Sequence, residues 1–137
     1  VQKHITWGKG MRILVVEDEE MIRDYLVDVV ESEGHKVVEA SNGQEGLDKF
    51  KKHGNFDLIV SDVQMPEMSG IEMMKQIKLL SDVRLVFVTG CKDELLMDTV
   101  DTNVRIFTKP LNLDEFFTFL SSLEEKLQSK ARKRVEC

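Results

Sequence analysis

Asp57-Leu58-Ile59-Val60-Ser61-Asp62-Val63-Gln64-Met65-Pro66-Glu67-Met68-Ser69-Gly70 is the stretch that decides the fold. An apolar run ends at Val60, with Ser61 alone between it and Asp62, and Met-Pro and Ser-Gly pairs then punctuate the chain. The run does not alternate apolar with polar, so it reads as a strand buried on both faces. Three other runs share this design. Ile13 to Val16 is closed by Glu17-Asp18, Leu85 to Val88 by Thr89, and Val104 to Phe107 is followed by Lys109-Pro110. Each polar residue is spaced to cap the carboxyl end of a buried strand. In an open parallel α/β sheet those ends are where ligands bind.

Helical patterns fill the intervals. After a strand over residues 11–16, Met21, Ile22, Tyr25, Leu26, Val29 and Val30 recur at helical spacing over 19–33, and Gly34 supplies a stop. Val37-Val38 marks a short second strand. Asn42 caps the next helix with Glu45 reaching back, and Ser69 with Glu72 forms a capping box for a helix through about residue 80. Strands at 57–61, 84–88 and 104–107, a short helix at 93–99 and a last helix opening at Asn112 with Glu115 complete the alternation. Five strands alternating with five helices imply a parallel sheet covered on both faces. Right-handed crossovers favour a flavodoxin-like doubly wound order, 2-1-3-4-5. Glu17, Asp18 and Asp62 then converge at the switch point between strands 1 and 3.

The chain has 137 residues, enough for one domain with a real core. No apolar run approaches the roughly 20 residues of a membrane helix, and Val1 to Gly10 lacks the apolar stretch of a signal peptide. A cytoplasmic location without membrane partners is the expectation. Met11 precedes the first strand and is a candidate start, so residues 1–10 are a leader, an upstream linker or an expression remnant. Cys91 and Cys137 are the two cysteines, too few for a disulfide framework. A net charge of −6 argues against direct nucleic-acid binding. The carboxyl end is the exception, with Lys126, Lys130, Arg132, Lys133 and Arg134.

Three carboxylates pressed together repel one another, and burial sharpens the repulsion. Mg²⁺ is the natural compensation, because it prefers hard oxygen ligands and keeps waters that substrate oxygens can displace. Asp62 is then placed to attack phosphorus and form an aspartyl-phosphate. Lys109 neutralises charge on the equatorial oxygens, and the Thr89 hydroxyl bonds one of them. Gly90 leaves a path for a phosphodonor, and the X-Pro bond at Pro110 admits a cis form that aims Lys109 at the site. Taken singly these residues have ordinary readings. Asp18 reads as a helix cap, Lys109 as a loop lysine and Thr89 as a strand residue. The signal lies in their combination.

On these residues the chain resembles the receiver domain of two-component response regulators. The resemblance runs from about residue 11 to 127, and its strongest stretches are Ile13 to Glu19, Asp57 to Gly70 and Phe107 to Pro110. It implies that Asp62 is the phospho-acceptor, taking its phosphoryl group from a histidine kinase or phosphotransfer protein. It further implies that Asp18, Asp62 and the backbone carbonyl of Gln64 ligate Mg²⁺, with Glu17 acting through water. Thr89 and Lys109 match the switch hydroxyl and the phosphate-binding lysine. Phosphorylation in such proteins repacks the face of the fourth helix, fifth strand and fifth helix, which engages an effector, an attached effector domain or a second copy. The resemblance also departs from the family at two places. Ile106 stands where the family usually has Tyr, Phe or His, with Phe107 on the opposite strand face. The segment between Thr89 and Lys109 is short, with Asp101-Thr102-Asn103 where a Gly-Ala turn is common. Gln64 and Cys91 flank the approach of hydrolytic water and are expected to tune phosphate lifetime.

Leu113, Phe116, Leu120, Leu123 and Leu127 fall on a and d positions of a heptad, either the buried face of the last helix or a dimer seam. Residues 128–137 read as a basic tail or linker. Beyond self-phosphorylation and dephosphorylation no enzyme activity is expected. A haloacid-dehalogenase-type phosphatase needs a second Asp where Gln64 stands, and a nucleotide- or flavin-binding domain needs a Gly-rich turn where Glu17 to Glu20 stand. The remaining alternative is a phosphorylation-independent interaction module of receiver fold.

Overall fold

A computed structural model describes residues 10–90 and 104–136, with the side chains of 133–136 outside the description. In chain order the elements are β1 (Arg12–Val16), α1 (Glu20–Ser32), β2 (Lys36–Ala40), α2 (Gly43–His53), β3 (Leu58–Ser61), α3 (Gly70–Lys78), β4 (Arg84–Thr89), β5 (Arg105–Thr108) and α4 (Leu113–Glu136). The five strands are parallel and ordered β2-β1-β3-β4-β5, as the continuous apolar runs require. The helix expected at 93–99, Cys91 and the segment Asp101 to Asn103 lie outside the described residues.

Alternate residues of each strand feed opposite faces. On one face Ile13, Val15, Leu58, Val60, Val86, Val88 and Phe107 pack against α1 and α4. On the other, Leu14, Val16, Ile59, Leu85 and Phe87 meet α2 and α3 through Leu47, Phe50, Met73 and Ile77. Ile106 packs on this second face while Phe107 stacks edge-on against Phe116 and Phe119, so strand alternation separates the two as expected. Each fully buried Leu, Ile or Phe contributes about 1.5–3 kcal/mol.

Helix ends follow the local sequence with two differences. Asn42 Oδ1 and Ser69 Oγ each accept the N–H three residues on, as N-caps should. The glutamates do not return the bond. Glu45 takes the Ser41 hydroxyl and the Lys49 ammonium, and Glu72 takes the Gln76 amide. Gly34, at φ 88°, ends α1 with its N–H on the Glu31 carbonyl. The last helix opens with Asn112 Oδ1 accepting the Glu115 N–H. Phe116, Leu120 and Leu123 are buried and Leu113 and Leu127 pack against them, so the heptad positions form a core face. α4 then continues about two and a half turns past that face, at 3.6 residues per turn, through Glu136.

Candidate functional site

Strand register brings the acids together. Val16 pairs with both Ala40 and Ser61, so Glu17 and Asp62 leave neighbouring strands at the same level. Their backbones stay in the ladder, with Glu17 N–H on the Ala40 carbonyl and Asp62 N–H on the Val16 carbonyl, each at 3.0 Å. At the same carboxyl end, on the next two strands, Thr89 pairs with Thr108, and the Lys109 N–H reaches the Thr89 carbonyl at 2.9 Å. The Lys109-Pro110 peptide is cis.

The Lys109 ammonium lies 2.9 Å from Glu17 Oε1 and 3.0 Å from Asp62 Oδ2. Asp62 Oδ1 accepts the Val63 N–H at 2.6 Å, and Glu17 Oε2 accepts the Glu19 N–H at 3.2 Å. The Glu17 side chain is wholly buried, Asp62 is partly exposed and Asp18 is exposed. Burial pushes the Glu17 carboxyl above its ordinary pKa and the neighbouring Asp18 and Asp62 add to it, against the bonds from Lys109 and the Glu19 amide. Burial works against the Lys109 ammonium, but the hydrogen bonds to Glu17 and Asp62 outweigh it and hold its pKa above the ordinary lysine value.

Glu17, Asp18 and Asp62 each offer a carboxylate oxygen, all within 4.8 Å of one another. This set of hard donors, graded from buried to exposed, suits a hard divalent cation with solvent on one side. Thr89 is buried at the end of β4. Gln64 lies exposed in the loop two residues past Asp62, and a methyl group added at exposed Gly90 would meet no atom of the other described residues within 4 Å.

Several supporting residues escaped the sequence. Arg23 of α1 donates to the Glu17 carbonyl at 2.8 Å and pairs with Glu39 at 3.2 Å, and nothing in its spacing points to that role. Gly70 lets α3 close on the site, because a Cβ there would stand 2.1 Å from the Asp62 carbonyl oxygen. Gly43 does the same for α2, 2.3 Å from the Met68 carbonyl. Both lie at the N-cap boundary, where a glycine reads as an ordinary helix start. Glu67 takes φ 68° while the Pro66 carbonyl accepts the Met68 N–H, a tight turn that fixes the loop behind Asp62.

A doubly wound parallel sheet with an acid cluster at its switch point and a lysine bridging that cluster defines the class, a flavodoxin-like α/β domain with a candidate site at the strand ends. The sequence matches the response regulator receiver domain family over residues 13–121, and the chain belongs to that family. It is 33% identical over 107 residues to the chemotaxis protein CheY of Bacillus subtilis, covering 75% of this chain and 88% of that one. It is 31% identical over 130 residues to the sensor kinase CckA of Brucella abortus, covering 92% of this chain. The chain spans 14% of the length of that relative. A chain of the CheX–CheY–BeF3–Mg²⁺ complex from Borrelia burgdorferi superimposes with a TM-score of 0.75 at 25% identity, covering 82% of this chain and 88% of that one. As a receiver domain the chain is a two-component signalling switch. Among the described residues no helix is long and apolar enough to cross a membrane.

Proposed function

We propose that residues 11–127 form a receiver in which Asp62 accepts a phosphoryl group from the phosphohistidine of a kinase or phosphotransfer protein. The observation that carries this reading is the placement of the Lys109 ammonium between Glu17 Oε1 and Asp62 Oδ2. An Asp62 oxygen attacks phosphorus, the P–N bond breaks, and the histidine nitrogen leaves with the electron pair. Lys109, already at the acceptor carboxylate, stays with the charge that develops on the transferred oxygens. The buried Thr89 hydroxyl lies at the end of the neighbouring strand and bonds a phosphoryl oxygen once the group is in place. Asp18, Asp62 and the Gln64 carbonyl are the groups to hold Mg²⁺, with Glu17 behind them. The cation supplies further neutralisation of phosphoryl charge.

Response is a population shift. Phosphorylation draws Lys109 and Thr89 toward the new group and repacks the face that includes β5 and α4, where an effector, an attached effector domain or a second copy docks. Ile106 takes the place of the usual aromatic, so the shift runs through aliphatic packing on the α2–α3 side of the sheet. The bound Mg²⁺ in the Borrelia burgdorferi complex supports the choice of metal. The test is intact mass after incubation with acetyl phosphate, with and without Mg²⁺. A single Mg²⁺-dependent phosphoryl adduct absent from Asp62→Asn is the expected result. No adduct on folded, Mg²⁺-binding protein would favour the phosphorylation-independent module.

A further inference from the structure

Away from the acid cluster, a cavity of about 490 Å³ runs between α4 and the beginnings of β4 and β5. That volume falls within the range of small-molecule sites, roughly 300–1,000 Å³. Its walls include Arg84, Arg105, Glu115, Phe119, Ser122 and Lys126. Arg84 and Arg105 are the first residues of their strands, both exposed, and each holds its guanidinium 5.7 Å from the ring centroid of Phe119. Among the described residues neither guanidinium forms an ion pair. Arg105 also lies over Phe107, 4.7 Å from its centroid. Two like charges gathered at the Phe119 ring repel each other, and an anion reaching both relieves that repulsion. Arginine forks match phosphate oxygens bidentately.

The groove is polarised along α4. Glu115 and Lys126 are separated by eleven residues, about 16 Å at the helical rise. Negative charge is therefore welcome at the Arg84–Lys126 end and unwelcome beside Asp114 and Glu115. A ligand that fits carries phosphates at one end and hydrogen-bond donors at the other, over a floor made by Phe119 and Leu123. We propose that this groove binds a nucleoside polyphosphate, with its phosphates on Arg84, Arg105 and Lys126 and the donors of its base or ribose at Glu115 and Asp114. A uniformly anionic strand would meet the two carboxylates and fits less well.

The probe is ADP, titrated calorimetrically in EDTA and 150 mM-range salt so that the acidic cluster contributes no metal-bridged binding. One equivalent should bind, inorganic pyrophosphate should bind several-fold more weakly, and Arg84→Gln/Arg105→Gln should lower ADP affinity at least about tenfold, as loss of charge-assisted bonds predicts. Lys126→Gln, an exposed helix position, gives a second reading if the double variant unfolds early, and Lys78→Gln on α3 should change nothing. The proposal is overturned by absence of ADP binding, by equal affinity for pyrophosphate and ADP, by affinity that survives the arginine substitutions, or by tighter binding of a mixed single-stranded oligonucleotide.

Discussion

Lys109 and Glu17, ninety-two residues apart in sequence, meet at 2.9 Å, and the carboxylate of that pair is wholly buried. The contact ties the end of β1 to the loop after β5, across the width of the site. Among the described residues Lys109 is the one cation paired with Glu17 and Asp62, so Lys109→Gln leaves a buried carboxylate uncompensated. The expected loss is about 2–4 kcal/mol in urea unfolding at neutral pH. Because burial raises the folded pKa of Glu17, its protonated form favours the native state. Stability from that group is full below its unfolded value and is lost as pH rises through the raised folded value, so the variant's deficit should shrink on acidification. Millimolar Mg²⁺ should also narrow it. A deficit independent of both pH and Mg²⁺ would mean that the pair does not carry the effect.

Gly70→Ala should damage the acceptor without touching its chemistry. The new Cβ would lie 2.1 Å from the Asp62 carbonyl oxygen and 3.0 Å from both Phe87 Cε1 and Ser61 Oγ. The backbone oxygen cannot rotate away as a side chain would, so β3 and α3 must separate. Overpacking of this kind costs about 1–3 kcal/mol. Urea midpoint and the rate of adduct formation with acetyl phosphate should both fall, and a variant that loses stability but phosphorylates at the parent rate would refute the coupling.

The two glycine contacts show what was and was not legible in the sequence. Continuous apolar runs set the strands, and the residues at and just past their ends set Glu17, Asp62, Thr89 and Lys109 at the carboxyl end of the sheet, because register in a parallel sheet follows from which residues must be buried. Tertiary approach leaves no such periodic trace. Gly70 stands where any helix start tolerates a glycine, and Arg23 lies off the apolar face of its helix, so neither carries a periodic signal, although the Arg23 guanidinium holds the Glu17 carbonyl. The end of the last helix was also hidden. Apolar periodicity stops at Leu127, but residues 128–136 hold no Gly or Pro and are rich in Lys and Arg, which propagate a helix and suit its carboxyl end.

Transfer from a protein donor needs a docking surface beside Asp62. Met21 and Tyr25, one turn apart near the start of α1, are 86% and 47% exposed, an apolar pair on a helix that otherwise shows solvent its charged residues. Met21→Asp/Tyr25→Ala should slow phosphoryl transfer from a phosphohistidine protein by roughly tenfold or more while leaving the reaction with acetyl phosphate unchanged. Equal loss with both donors would place the defect in the site itself.

At the opposite pole of the sheet His35 is buried, its Nδ1 accepting the Met11 N–H at 3.0 Å and lying 3.9 Å from Glu124 Oε2. Burial lowers its pKa below the ordinary 6.5, although Glu124 of α4, Glu33 at the end of α1 and Asp57 before β3 all pull upward. The accepted hydrogen bond requires a neutral Nδ1, which agrees with that direction. On acidification the unfolded chain takes up the proton first, so stability from this group is full above the unfolded value and is lost as pH falls from about 6.5 toward the lowered folded value. Thermal unfolding should therefore show a decline between pH 7.5 and 5.5 that is flattened in His35→Gln, once the variant's constant offset is subtracted. Parallel pH profiles for the two proteins would show that the Glu124 carboxylate compensates the imidazolium fully.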